Sequence, residues 1–175
     1  MGARYRPRAM NFTTTTTTAA AYGVDLTGLI NAIGQGSEDG MINPLNREQW
    51  SLLASYLRPL DVPAGQVLFA QGTTDRTLYL IESGSLSVHL EDENQHMRLA
   101  IVGAGSVVGE GAFFSHQPRS ATVQASAASR LWALPALRFA ELANRQPVVA
   151  LQLVMSIAAV QARRLSNHRR RVAST

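Results

Sequence analysis

The sequence predicts a mainly β protein with flanking helices (α+β), built around a β jelly-roll barrel of about eight short strands. Three observations support this prediction. Seven short segments rich in apolar and β-branched residues lie in the middle of the chain, separated by turn signals. Segments with helical periodicity precede and follow them. The chain has 175 residues, of which 46% are apolar, and this is enough for one domain with its own core.

The part before the barrel is predicted to hold a tail and two helices. Residues 1–22 are expected to be a disordered tail, because they are basic and threonine-rich without an apolar periodicity that would bury a face. Residues 23–58 are expected to form an N-terminal helical segment. Its helices are predicted over Asp25–Ile33 and Arg47–Leu57, and Asn46 is a suitable N-cap for the second.

Residues 59–135 are predicted to form the barrel. The short segments and the regular spacing of the turn residues between them favour strands, and little helix is expected inside this region. The predicted strands are Val67–Phe69, Leu78–Ile81, Leu86–Leu90, Met97–Val102, Val107–Val108, Ala121–Ala125 and Leu131–Leu134.

Residues 136–168 are predicted to form C-terminal helices, followed by a basic tail over 169–175. A short helix is expected over Leu137–Ala143, and Pro147 suits the first turn of a long one. Along the long helix, apolar and small residues recur at spacings of three and four, as in a coiled-coil seam: Val148, Leu151, Met155, Ala158, Ala162 and Leu165. This seam could pack on its own barrel or pair with a second copy, and we favour the homodimer.

Two missing residue types exclude several kinds of function. The chain has no cysteine, and all 16 basic residues are arginine. Disulfides, iron–sulfur clusters, thiolate zinc sites and cysteine nucleophiles are therefore excluded, as are lysine Schiff bases and Walker-type phosphate sites. The four histidines form no HxH or HExxH pair. We therefore expect no metal site, no catalytic residue and no enzyme activity.

The formal charge of +4 is distributed unevenly along the chain. All twelve acidic residues lie between Asp25 and Glu141, whereas eight of the sixteen arginines lie before residue 9 or after residue 162, so the part of the chain between them is mildly acidic. A mildly acidic folded part offers no basic surface for nucleic acid, and DNA binding by this chain is not expected. No apolar run approaches the roughly 20 residues of a membrane span. No export signal is visible either, so we expect a cytoplasmic protein.

The segment from Gly109 to Thr122 is the most informative part of the sequence. A glycine after a strand, followed by helix-compatible residues, presents backbone N–H groups to an anion. Arg119 follows a proline, and its guanidinium suits a bidentate contact with a phosphate. Glu110 would repel a phosphate, but it could accept a hydrogen bond from a ligand hydroxyl while pairing with Arg119. A 3′,5′-cyclic nucleotide carries both a singly charged phosphate and a free 2′-hydroxyl.

Two short motifs in this segment, Gly109-Glu110-x-Ala112 and Pro118-Arg119-Ser120-Ala121-Thr122, resemble the phosphate-binding cassette of cyclic nucleotide-binding domains. Catabolite activator-type bacterial regulators, protein kinase A regulatory subunits and cyclic nucleotide-gated channels share this domain. The resemblance extends from Leu57 to Leu165. It implies a barrel that binds a cyclic nucleotide and needs no cofactor.

The resemblance also implies roles for individual residues. Arg119 would hold the cyclic phosphate and Glu110 the ribose 2′-hydroxyl, while backbone amides complete the cradle. The expected ligand-binding residues are Gly109, Glu110, Gly111, Ala112, Arg119, Ser120 and Ala121, with Val88, Leu99 and Val102 as an apolar wall beside the purine. Ser120 matches bacterial cyclic AMP sensors, so we expect cyclic AMP, with cyclic GMP as the alternative. One of three residues of the last helix would cap the base: Arg163, Arg164 or Asn167.

Two residues depart from the family pattern. Gly111 stands where an apolar residue is usual, which weakens the short helix by roughly 1 kcal/mol. Val108 replaces a common aromatic residue before Gly109, and Phe113 with Phe114 could restore the packing.

The favoured function is a regulatory module whose last helix moves on ligand binding and signals to an unknown effector protein or a dimer mate. One alternative is the ligand-binding part of a catabolite activator-like transcription regulator, which would need a helix-turn-helix domain where this chain ends at Thr175. Another is a degenerate barrel that binds no ligand and serves as an interaction module. The presence of both Glu110 and Arg119 favours binding, because each is costly to bury without a partner.

Overall fold

A computed structural model describes residues 24–35, 40–92 and 95–173 of the chain. Within these ranges, the side chains of residues 91–99 and 168–173 are not described. The predicted tail over 1–22 lies outside the described residues. The helices are α1 (Thr27–Gly34), α2 (Arg47–Ala54), α3 (Glu110–Ser115), α4 (Ala136–Arg145) and α5 (Pro147–Ala173). The strands are β1 (Arg58–Val62), β2 (Val67–Phe69), β3 (Thr77–Ser83), β4 (Ser85–Asp92), β5 (Gln95–Gly103), β6 (Val107–Val108), β7 (Thr122–Ala125) and β8 (Ser129–Pro135).

The strands of the described residues form two antiparallel sheets of four strands each. The strand order is β1-β8-β3-β6 in the first sheet and β2-β7-β4-β5 in the second. Strands distant in sequence pair with each other, as where Leu80 of β3 lies opposite Trp132 of β8. The prediction of a β barrel of about eight short strands with flanking helices is confirmed.

Strand β3 is buried on both of its faces. Leu78 and Leu80 pack with the helices, whereas Tyr79 and Ile81 pack with residues of the second sheet. Because successive side chains of a strand point to opposite faces, the first sheet must lie between the helical layer and the second sheet. This arrangement explains why the sequence of β3 is a continuous apolar run rather than an alternating one.

Strand β1 is absent from the strands predicted by sequence, which instead expects α2 to continue to Leu57. Pro59 is the second of the five residues of β1, and a proline usually argues against a strand because it cannot donate to the ladder. In the structure β1 is the edge strand of the first sheet and pairs with β8. An edge position tolerates the missing N–H group.

The predicted start of α2 is confirmed by its N-cap. The Asn46 side chain accepts a hydrogen bond from the Gln49 backbone N–H at 2.9 Å, and the Asn46 N–H donates to Oε1 of Gln49 at 3.0 Å. This reciprocal capping box satisfies two backbone donors that the first helical turn would leave unpaired.

Helix α5 begins at Pro147, as predicted, and continues to Ala173, past the expected start of the basic tail at residue 169. One of its faces packs on the rest of the chain through Val149, Ala150, Leu153, Ile157 and Val160. The large apolar residues of the predicted seam lie on a different face and are 61–65% exposed: Val148, Leu151, Met155 and Leu165. The seam is therefore not what attaches α5 to its own barrel.

The segment Pro147–Asn167 of α5 could cross a membrane by length and composition alone, with a mean hydropathy of 1.4. This finding corrects the expectation that no segment of the chain approaches a membrane span. Of its apolar window, 33% is buried inside the protein. Helices that pack on a protein core satisfy the same criterion of length and apolar content.

Candidate functional site

A pocket of about 320 Å³ is enclosed by strands of the second sheet, the segment around α3 and the C-terminal half of α5. The structure brings nine of the ten predicted ligand-binding residues together in its lining: Val88, Val102, Gly109, Glu110, Gly111, Ala112, Arg119, Ser120 and Ala121. The side chain of the tenth, Leu99, lies outside the described residues. Ala100, the next residue of β5, lines the pocket.

Gly109 is the turn that joins β6 to α3, and its position requires glycine. Its φ of +87° lies in the left-handed region, where a Cβ is strained. A Cβ there would also come within 2.7 Å of the Thr77 carbonyl oxygen and 2.6 Å of the Arg119 guanidinium. The glycine therefore lets the start of α3 approach Arg119 closely.

Arg119 is held from several sides, and the residue is only 2% exposed. Its Nη1 donates to the Gly109 carbonyl at 2.9 Å, and its Nη2 donates to the Thr77 carbonyl at 2.7 Å and to the Asp75 carboxylate. The guanidinium carbon lies 4.0 Å from the centre of the Phe69 ring, a cation–π contact. Its Nε atom is buried and has no hydrogen-bond partner. Arg119 lines the pocket, and this one donor of its guanidinium is left without an acceptor.

Glu110, at the first position of α3, contacts the last helix instead of Arg119. Its Oε1 accepts hydrogen bonds from Nη1 of Arg164 at 2.9 Å and from Nε2 of Gln161 at 2.6 Å. The expected pairing of Glu110 with Arg119 is therefore wrong, because Arg119 is already neutralised by Asp75. The second carboxylate oxygen of Glu110, Oε2, is buried without a hydrogen-bond partner. Glu110 lines the same pocket as Arg119.

Asp75, which sequence reasoning missed, shapes the electrostatics of the Arg119 end. Partial burial would raise the pKa of the Asp75 carboxyl, but hydrogen bonds from Thr77 and Arg119 and the charge of Arg119 outweigh it. The net effect holds the pKa of Asp75 below its usual value of 3.8. The carboxylate is therefore ionised at neutral pH and compensates the buried guanidinium.

Other pocket residues were also missed or left open by sequence reasoning. Phe69, Val108 and Val123 complete the apolar part of the lining, and they are ordinary inward-facing strand residues with no local signal. Of the three residues expected to cap a base, Arg164 lines the pocket, whereas Arg163 donates to the Gly40 carbonyl. Arg164 also donates to the Ser106 hydroxyl and the Val107 carbonyl, both at 2.9 Å.

Comparison with known proteins agrees with this geometry. A family model of the cyclic nucleotide-binding domain matches residues 59–146, half of the chain. The chain is 33% identical over 96 residues to the cAMP-dependent protein kinase regulatory subunit of Blastocladiella emersonii, a match that covers 54% of this chain and 24% of that protein. It is 34% identical over 128 residues to the cyclic AMP receptor protein of Thermus thermophilus, covering 71% of this chain and 56% of that protein.

The fold is similar to that of a cyclic nucleotide-binding domain from Methylobacillus flagellatus. The TM-score is 0.75 at 21% identity, with 86% of this chain and 84% of that chain covered. The chain spans only about a quarter to a half of the length of the two relatives matched by sequence. Since the matching family model covers half of the chain and includes both motifs of the pocket, the chain belongs to the cyclic nucleotide-binding domain family.

Proposed function

We propose that this chain is a cyclic AMP-binding regulatory module. The observation that carries the proposal is that two charged residues lining one pocket each hold a buried polar atom without a partner, the donor Nε of Arg119 and the acceptor Oε2 of Glu110. Burial of such atoms without partners is costly. A ligand with an anionic oxygen at one end and a hydroxyl at the other would satisfy both.

The features of a cyclic nucleotide match the two ends and the wall of the pocket. The cyclic phosphate would lie against Arg119, and the ribose 2′-hydroxyl would donate to Glu110. The purine would lie against the apolar side chains of the second sheet, among them Val88 and Val102. The names of two relatives support cyclic AMP as the ligand.

The signal would leave the pocket through α5. Glu110 is hydrogen-bonded to Gln161 and Arg164 of this helix. A ligand hydroxyl that donates to Glu110 would compete with these two side chains for the carboxylate, and this competition would shift the preferred position of α5. Under this proposal the protein binds rather than catalyses, acts in the cytoplasm and passes its signal to an effector protein of unknown identity.

Calorimetric titration of the purified protein tests the ligand. Cyclic AMP should bind at micromolar or lower concentration, and cyclic GMP should bind more weakly. 5′-AMP should bind much more weakly still, because its terminal phosphate carries additional charge and does not form the cyclic phosphodiester ring that fits between Arg119 and Glu110. Tighter binding of cyclic GMP would reassign the ligand. No heat and no thermal shift with any of the three would leave a degenerate interaction module.

The exposed seam of α5 supports a homodimer as the second part of this proposal. Leu151 and Met155 are 61% and 63% exposed in the isolated chain, and a coiled-coil pairing with a second copy would bury them. Size-exclusion chromatography with light scattering should give a dimer for the wild type and a monomer for Leu151→Glu. Leu137→Glu, which changes an exposed leucine of α4, serves as the matched control and should remain dimeric.

A catabolite activator-like regulator remains the second candidate, because the cyclic AMP receptor protein of Thermus thermophilus matches 71% of this chain. In that case the same pocket and α5 would control DNA binding by a further domain. Expression of the protein from its native locus, followed by measurement of its mass, would show whether such a domain is attached.

A further inference from the structure

A contact between Arg76 and His116 links the start of β3 to the end of α3. Nη1 of Arg76 lies 3.0 Å from Nδ1 of His116. A guanidinium has only donors, so a hydrogen bond here requires Nδ1 to be the acceptor and the ring proton to be on Nε2. Protonation of this ring would remove the acceptor and set two positive charges beside each other.

His116 occupies an unusual backbone position. It is the C-cap of α3 and has a φ of 62°, the left-handed region. Among the residues that the structure describes, His116 is the only one other than glycine with a positive φ. A residue with a Cβ has a conformational cost there, although histidine adopts this region more readily than most residues and helices often end in it. The hydrogen bond from Arg76 constrains His116 at this position.

The neighbours of Arg76 hold the other end of the same segment. The Asp75 carboxylate and the Thr77 carbonyl both accept hydrogen bonds from Arg119. Three consecutive residues, 75–77, therefore contact both the end of α3 and the buried arginine that follows it. They set the position of α3, which begins with Glu110, relative to Arg119.

Charged residues of the segments that pack against α3 are paired with each other. On α4, which contacts α3 through Phe139 and Phe113, Arg138 is paired with Glu141. On the segment before β3, Asp75 is paired with Arg119. On α3 itself, Glu110 is paired with Arg164 of α5. In the described part of the chain, the charged side chain hydrogen-bonded to His116 is Arg76. A proton on His116 would thus meet a cation and no carboxylate among these contacts.

We propose that the Arg76–His116 hydrogen bond is a positioning contact for the ligand pocket, and that nucleotide affinity falls when His116 is protonated. The inference rests on the proposed binding of a cyclic nucleotide. Histidine is the side chain that ordinarily changes charge between about pH 5 and 8, so a change of pH can be used to test this contact. The cyclic phosphodiester keeps its single negative charge throughout that range, so the ligand does not contribute.

The test is calorimetric titration with cyclic AMP at about pH 7.5 and about pH 5.5 for the wild type and for His116→Asn. Asparagine adopts the left-handed region readily, and its Oδ1 takes the place of Nδ1 as an acceptor that does not titrate. Wild-type affinity should fall roughly three- to tenfold at the lower pH, as expected for the loss of one hydrogen bond. The asparagine variant should bind with similar affinity at both.

A second variant, His116→Gly, relieves the backbone strain but removes the acceptor. His116→Gly should bind cyclic AMP more weakly than His116→Asn does, and the ratio of the two affinities should be similar at both pH values. Thermal unfolding of each ligand-free variant verifies that it is folded, and two-bond ¹H–¹⁵N correlation spectra of the wild type should show Nδ1 of His116 unprotonated at neutral pH. A protonated Nδ1 at neutral pH would overturn the inference without any ligand.

The outcomes separate this inference from the proposed function. If the wild type binds cyclic AMP and its affinity has the same pH dependence as that of His116→Asn, the inference fails and the proposed function stands. If the wild type binds no cyclic nucleotide at either pH, the proposed function fails and the inference fails with it.

Discussion

The two charged ends of the pocket are held in different ways. At one end, Arg119 is 2% exposed and donates to two backbone carbonyls and a carboxylate of the barrel. At the other end, Glu110 accepts from two side chains of α5, Gln161 and Arg164. The first end is thus part of the rigid barrel, whereas the second depends on where a separate helix lies.

This difference assigns different tasks to the two ends. Of the backbone partners of Arg119, Thr77 belongs to β3 and Gly109 directly follows β6, so the barrel preorganises the phosphate contact, which should contribute mainly to affinity. The partners of Glu110 are rotatable side chains on α5, so a ligand hydroxyl at Glu110 can alter their positions. Affinity should therefore depend mostly on the Arg119 end, and coupling to α5 on the Glu110 end.

The largest expected effect is that of Arg119→Ala on ligand affinity. Removal of a charge-assisted contact with the phosphate should cost about 3 kcal/mol, a loss of roughly a hundredfold in affinity. The Asp75 side chain is 46% exposed and can be hydrated once its partner is gone, so the barrel should remain folded. Titration calorimetry measures the affinity, with Arg119→Lys as the matched control that keeps the charge. An unchanged affinity for the alanine variant would remove Arg119 from the site.

The next effect is that of Glu110→Ala, which we expect to weaken binding by about tenfold, since one hydrogen bond to a carboxylate is lost. The specific readout is a comparison of two ligands. The wild type should bind 2′-deoxy cyclic AMP about tenfold more weakly than cyclic AMP, whereas the variant should bind the two ligands with equal affinity. A variant that still distinguishes the two ligands would show that Glu110 does not hold the hydroxyl.

The contribution of Asp75 to the Arg119 end can be measured through the pH dependence of the free energy of unfolding. Because the pKa of Asp75 is lowered in the folded protein, its contribution is present above its usual value of 3.8 and is lost as the pH falls below it. Asp75→Asn should therefore reduce the loss of unfolding free energy between about pH 4 and pH 2. The effect should be modest, since the carboxylate is half exposed.

Urea denaturation across this pH range measures that effect. Asp61→Asn is the matched control, because Asp61 pairs with Arg130 at 3.0 Å but its side chain is 73% exposed. The acid dependence of the Asp61 variant should stay closer to that of the wild type. An Asp75 variant whose acid dependence equals that of the wild type would contradict the role given to the Asp75–Arg119 pair.

The smallest expected effect is a change in stability when a glycine near the start of α3 is replaced by alanine, and its sign should differ between Gly111 and Gly109. Gly111→Ala should stabilise the protein by up to about 1 kcal/mol, because alanine is the better helix former. A Cβ at Gly111 would meet the Ser120 hydroxyl at 3.9 Å, an ordinary contact. Gly109→Ala is the control and should destabilise, because its Cβ would clash with Thr77 and Arg119. Thermal unfolding measures both, and a destabilised Gly111 variant would mean that the conformation of α3 differs from the one described.

The predictable part of the molecule is the part set by local pattern. Asn46, Pro147 and the short strand Val67–Phe69 carry their own signals of capping, helix start and β propensity, and the structure confirms these elements. Strand β1 was missed because its proline is compatible with a strand only at a sheet edge, and edge position is a property of the whole sheet.

The pairing of charges at the site could not be predicted from sequence. Glu110 and Arg119 lie close in the chain, and this proximity suggested an ion pair. Their actual partners, Arg164 and Asp75, lie 54 and 44 residues away in sequence. No local pattern indicates which of several arginines or aspartates the barrel topology brings to a given carboxylate or guanidinium.

The most direct test of the proposed binding mode is a crystal structure of this protein with cyclic AMP. This mode places a phosphate oxygen within hydrogen-bond distance of Arg119 and the ribose 2′-hydroxyl as a donor to Glu110, and it changes the contacts of Gln161 and Arg164 to Glu110. A nucleotide bound elsewhere on the barrel, or bound in this pocket with its phosphate remote from Arg119, would contradict it.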